Sequence, residues 1–174
     1  RRWHVPHFEK MLYDQAMMLS IYTRTASVTN NDVYRSVAAG IADFIHNEMT
    51  TPEGAFCSAL DAETNAIEGE YYVWTVEEIT SVLGEADADV FSAVYGVNEP
   101  NPFEHGIVLH LPRSVDDAIN ERELESQPTK DRLAAMRSRL LKARWQRERP
   151  LLDDKVLTAW NALMIKSLAV SGRE

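Results

Sequence analysis

His7-Phe8-Glu9-Lys10-Met11-Leu12-Tyr13-Asp14-Gln15-Ala16-Met17-Met18-Leu19-Ser20-Ile21-Tyr22 is the stretch on which the fold turns. Phe8, Met11, Leu12, Ala16, Leu19 and Tyr22 recur at helical spacing. Met17, Met18 and Ile21 make the later turns apolar nearly all round, the mark of a helix covered on every side. Proline is favoured at a first helical position, so Pro6 is expected to open a helix over 7–26. Thr29-Asn30-Asn31 ends it.

A second helix is expected over 32–49, with Val33, Val37, Ile41, Phe44 and Ile45 on one stripe. It stops before the breaker Thr51-Pro52-Glu53-Gly54. Two strands follow, Ala55 to Leu60 and Glu70 to Trp74, expected as a hairpin around the polar segment Asp61 to Gly69. Thr75-Val76-Glu77-Glu78 is a capping box that starts a short helix ending at Gly84. Another helix is expected near 86–95, then loop to Gly106, a strand at 107–111 and irregular chain over 112–127. A charged helix over 129–148 is stopped by Pro150. Asp153 or Asp154 is expected to cap a last helix, 155–171, again apolar on most sides. Two all-round apolar helices separated by amphipathic ones suggest an inner layer wrapped by an outer one.

At 174 residues the chain is long enough for one domain with its own core. Its formal net charge of -9 argues against a nucleic-acid binder, which needs a basic face. No apolar run is long enough to span a membrane, and the opening residues do not resemble a signal peptide. The single cysteine, Cys57, cannot form an internal disulfide, so a cytoplasmic location is expected.

Three clusters could carry chemistry. His4 and His7, leading into Glu9, Lys10, Tyr13 and Asp14, could supply a general base; the competing reading makes them packing and capping residues. No cysteine or further histidine stands at a zinc-ligand spacing, so no metal is assigned. Asp61, Glu63, Glu68, Glu70, Tyr71, Tyr72 and Trp74 set carboxylates beside aromatics, which suits the hydroxyls and apolar ring faces of a sugar. The alternative is a solvated hairpin tip. Asp153, Asp154 and Lys155, followed by Trp160 and Asn161, exceed what capping needs, and a buried Asn161 amide requires a partner.

These clusters resemble the thioredoxin-domain-containing, spermatogenesis-associated protein 20-like family, including its bacterial YyaL-type members. The blocks are Trp3 to Ala16, then Gly54 to Glu63 with Glu68 to Thr75, then Asp153 to Asn161. The resemblance implies a partial (α/α)6 toroid of the six-hairpin glycosidase type, mainly α with a small β-hairpin insertion. It implies an upstream thioredoxin-like domain as partner in a longer chain, and a toroid that continues past this segment. Where the family usually reads Asp-Ala-Asp, this chain has Asp61-Ala62-Glu63. By analogy of fold the whole protein would act on or bind a sugar, as an epimerase or glycoside-hydrolase relative. His4, His7, Asp14, Asp61 and Asp154 are then the catalytic candidates, and Glu63, Glu68, Tyr72, Trp74, Lys155 and Asn161 the sugar-binding ones. No cofactor is called for. The alternative is a non-catalytic scaffold working with the thioredoxin-like domain. In either case the segment alone is expected to be inactive and to self-associate through its apolar helices.

Overall fold

A computed structural model of the chain describes residues 5–100 and 103–173. In chain order its elements are β1 (Lys10–Met11), α1 (Leu12–Thr29), α2 (Asp32–Glu48), β2 (Ala59–Leu60), β3 (Glu63–Thr64), β4 (Ile67–Glu68), α3 (Val76–Leu83), α4 (Glu85–Val94), α5 (Val115–Glu121), α6 (Ser126–Arg144), β5 (Leu152–Asp153) and α7 (Thr158–Ser171). The described chain is thus mainly helical, with one small hairpin. None of these helices is long and apolar enough to cross a membrane. The chain divides into two compact units. One comprises Glu9–Ala62 with the segment from Pro150 onward, the other Glu63–Arg149 with the segment ending at Phe8.

In the unit formed by 9–62 and 150 onward, α1 packs on both α2 and α7. Leu12, Leu19, Ile45, Met49 and Met164 are its sealed centre. Across the α1–α7 contact the Tyr13 and Trp160 rings meet edge-on with centroids 4.8 Å apart, and the Ser20 and Ser167 hydroxyls meet at 2.8 Å. Helix α1 begins five residues later than the sequence predicts, and Pro6 does not open it. Lys10 and Met11 are drawn instead into antiparallel pairing with Leu60 and Ala59. On its other side β2 pairs with β5, Ala59 opposite Asp153 and Leu60 opposite Leu152. The expected Asp cap of α7 is therefore absent, because Asp153 lies in a strand and Leu157 precedes the helix without a side-chain cap bond. Nor are the two apolar helices covered all round: Met17, Ile21, Leu163 and Ile165 are exposed, the two isoleucines at 58% and 59%.

The other unit packs α3, α4, α5 and α6 around Ile79, Phe91, Ile119, Leu133 and Met136. The hairpin lies inside the segment expected to be a loop: β3 pairs with β4 across Asn65 and Ala66, both in the left-handed region at φ 54° and 60°. That is the backbone of a tight two-residue hairpin turn. The run Tyr71-Tyr72-Val73 is no strand, because the Tyr72 and Val73 N–H groups both turn back onto the Gly69 carbonyl. Gly69 has φ 75°, and an added Cβ there would stand 2.7 Å from the Phe8 ring, so only glycine fits. Of the expected strand residues at 70–74 and 107–111, only Trp74 and Ile107 form a β-bridge.

Helix α3 starts at the predicted capping box, with Thr75 and Glu78 bonded reciprocally. Helix α5 falls within chain expected to be irregular, where the Ser114 hydroxyl accepts the Asp117 N–H at 3.1 Å. Helix α6 opens three residues early and ends at Arg144, well before Pro150.

Candidate functional site

The three-stranded sheet β1–β2–β5 edges a cleft of about 440 Å³ in the unit formed by 9–62 and 150 onward. Its polar side chains are Glu9, Asp61, Asp153, Asp154 and Lys155. Asp61 is aimed by the backbone, since its N–H donates to the Leu151 carbonyl at 2.9 Å. Ser58 ties the strands together, donating to the Asp153 carbonyl from its N–H at 3.0 Å and from its hydroxyl at 3.1 Å. The ammonium of Lys155 donates to the Asp153 carboxylate at 2.7 Å. That bond, with help from Ser58, holds the Asp153 carboxyl below the usual carboxylate range. Cys57, next to Ser58 in the chain, is buried; burial pushes its thiol up, and the charges of Asp154 and Asp153 add to the rise. A thiol raised in this way is inert as a nucleophile at neutral pH.

Of the predicted residues in this unit, Asp61, Asp154 and Lys155 line the cleft, while Asp14 is exposed in the first turn of α1 and is not among the lining residues. Asn161 faces the framework. Its Oδ1 accepts the Phe56 N–H at 2.9 Å, and its Nδ2 donates to the Phe56 carbonyl at 2.9 Å and the Leu157 carbonyl at 3.2 Å. Both ends of the amide are spent on backbone, so Asn161 shapes the site without offering it a free group.

The remaining predicted residues belong to the other unit, apart from His4, which lies outside the described residues. His7 is exposed. Glu63 and Glu68 are exposed and stand directly opposite each other in the hairpin. The Tyr72 ring stacks on Phe8 with centroids 5.9 Å apart, and the Arg144 guanidinium sits 5.6 Å from it. Trp74 cannot serve as a sugar platform in this arrangement. It is 4% exposed, within the core cluster, and the Arg147 guanidinium covers its ring at 4.1 Å.

Arg147 falls outside the three sequence clusters. It donates to the carbonyls of Tyr71 at 3.1 Å and Val73 at 2.7 Å, and pairs with Glu78 at 3.0 Å. Its partners are mostly carbonyls, which leave no trace in residue identity. Glu9, which stands inside the first motif, lines the sheet cleft, and Ser58 ties the strands at its edge. Among the described residues, no group of three or more His, Cys, Asp or Glu is placed to hold a metal ion.

No family model matches the chain. Among curated proteins it is 34% identical to spermatogenesis-associated protein 20 of Mus musculus and 33% identical to that of Homo sapiens, each over 99% of this chain. An uncharacterized protein of Caenorhabditis elegans is 29% identical over 95% of it. The chain spans about a quarter of the length of these relatives, 25% of the two mammalian proteins and 26% of the nematode one. With nearly every residue aligned at such identity, the chain belongs to the spermatogenesis-associated protein 20-like family.

Proposed function

We propose that this chain contributes a sugar-binding cleft to a larger α/α-toroid protein, one that is carbohydrate-active in the manner of an epimerase or a glycoside hydrolase. The observation that carries the reading is the β1–β2–β5 cleft, which gathers Glu9, Asp61, Asp153 and Asp154 with one lysine in about 440 Å³. Carboxylates accept hydrogen bonds from vicinal hydroxyls, and Lys155 can donate to a ring or glycosidic oxygen. The volume suits one or two sugar units. In this reading Asp61 and Asp154 divide acid and base work, since two carboxylates flanking a glycosidic bond are the usual means of breaking it. No cofactor takes part in this reading. A buried, unreactive Cys57 fits the reducing cytoplasm.

The test is a panel of neutral monosaccharides and disaccharides titrated into the longer protein, followed calorimetrically. The expected result is saturable binding to at least one sugar, lost on Asp61→Asn and on Asp154→Asn. Absence of saturable binding across the panel, or binding indifferent to both substitutions, overturns the reading. Closure of the helices into a toroid is checked by an experimental structure of the longer protein.

A second reading is a scaffold working with a thioredoxin-like domain. What favours it is the exposed apolar surface of α1 and α7, with Met17, Ile21, Leu163 and Ile165 open to solvent. Co-purification of a separately expressed thioredoxin-like domain, abolished by Ile21→Glu, is the outcome that supports it.

A further inference from the structure

We infer that the unit built from 63–149 carries a binding site of its own, for a small hydroxylated primary amine such as an amino alcohol or amino sugar. The site is a cleft of about 320 Å³ whose walls include Thr64, Glu70, Tyr71, Glu78, Arg147 and Glu148. This is the size at which small-ligand pockets begin.

Charge selects a cation. Arg147 is consumed by the Glu78 carboxylate and by backbone carbonyls. Glu78 is consumed in turn, one oxygen taking Arg147 and the other the Thr75 N–H at 2.8 Å. That pair is neutral and closed. Glu70 keeps acceptor capacity beyond its single bond from the Asn65 amide at 3.1 Å. Glu148 has no hydrogen bond or ion pair among the described residues. His105 also lines the cleft, its Nε2 turned to Glu104 at 3.4 Å. The cleft therefore holds two carboxylates that no lysine or arginine of its lining balances, and an ammonium supplies three donors to share between them.

Two hydroxyls say what else the ligand carries. Thr64 and Tyr71 line the cleft at 7% and 5% exposure, and neither hydroxyl oxygen has a hydrogen-bond partner. Native proteins rarely leave such groups unsatisfied, because a buried hydroxyl without a partner forfeits the hydrogen bonds it made to water. A ligand hydroxyl can both donate and accept, so it satisfies either group whichever way its hydrogen points. Ring stacking is not part of the recognition, because Arg147 already covers Trp74. Two uncompensated carboxylates and two orphaned hydroxyls in one cleft are better matched by a hydroxylated amine than by a neutral sugar.

The experiment is an NMR titration of the 174-residue chain, isotope-labelled, with D-glucosamine as probe and D-glucose as uncharged control. The expected result is saturable shifts centred on Thr64, Tyr71 and Glu148 with glucosamine, and binding of glucose weaker by about tenfold or more. Glu148→Gln, an exposed position without partners to lose, should weaken glucosamine by about tenfold. Tyr71→Phe should weaken it several-fold while leaving thermal stability intact or raised, since the hydroxyl it removes has no partner. Glu53→Gln, which removes an exposed carboxylate outside the cleft, should leave glucosamine binding unchanged, which separates the site from general attraction of a cation to an acidic surface. Equal binding of glucose, shifts centred on Asp61 and Asp154, or no saturation by about 10 mM glucosamine would each overturn the inference.

Discussion

The side chain of Asn161 and the backbone of Phe56 form a closed pair of hydrogen bonds, N–H to Oδ1 and Nδ2 to carbonyl, both 2.9 Å, between residues 105 positions apart. An asparagine amide used in this way stands in for a strand neighbour, completing a ladder that the chain does not otherwise supply. Its removal leaves the Phe56 N–H and carbonyl partly buried without partners. Asn161→Ala is expected to lower stability by about 1–3 kcal/mol, measured by urea unfolding. Asn161→Asp should also destabilise, because a carboxylate cannot donate to the Phe56 carbonyl. A change within error for both would mean that water satisfies the backbone.

Arg147 binds through geometry as well as charge. Its fork reaches two carbonyls and Glu78 while its flat face covers Trp74. Lysine keeps the charge and loses both the fork and the stacking plane. Arg147→Lys is therefore expected to cost about 1–3 kcal/mol, with a change in tryptophan fluorescence that reports the uncovered ring. If lysine restored full stability, charge alone would explain the residue.

The thiol of Cys57 makes the fold sensitive to alkali. Its folded pKa is raised, so the stabilisation it brings is present below the thiol's unfolded pKa and is lost as pH rises through the folded one. Stability measured against pH should fall through the alkaline range, and Cys57→Ala should flatten that part of the profile. At neutral pH a thiol reagent should label the native protein slowly and the urea-unfolded protein fast. Rapid native labelling would contradict the buried position.

Association is expected across the α1–α7 surface. Burying one large apolar side chain contributes roughly 1.5–3 kcal/mol, and Met17, Ile21, Leu163 and Ile165 are open to solvent. Sedimentation of the 174-residue chain at micromolar concentration should show a dimer or larger species that gives way to monomer on dilution. Ile21→Glu with Ile165→Glu should yield monomer throughout. A monomer at high concentration that binds no hydrophobic dye would count against the idea.

Short-range rules carried most of what could be read in advance. Thr75 and Glu78 announce α3 because a capping box is complete within four residues. The same local logic, Ser114 followed by Asp117, starts α5. Strands β1, β2 and β5 were illegible for a different reason: each is two residues long, and what makes it a strand is a partner some 50 to 95 positions away. That pairing also moved the start of α1 and took Asp153 from its expected cap. At the site, Asp61, Asp154 and Lys155 were visible as residue types in recognisable blocks. Whether a ring such as Trp74 faces a ligand or a guanidinium depends on packing that no local pattern encodes.

Ser58 reaches Asp153 across 95 positions of chain, so the sheet at the cleft is closed by the two ends of one long excursion. In kinetic terms that is a late event. Closing a loop costs entropy that grows with the logarithm of its length, and segments this far apart meet slowly unless the intervening chain has already condensed. The helices of 63–149 have their own centre at Phe91, Leu133 and Met136, so they can collapse first and shorten the path between the strand ends. On this ground the acidic cleft is expected to be among the last features to assemble as the chain folds. Anything that delays the inserted helices will delay the site, leaving α1 and its exposed methionines open to aggregation for longer.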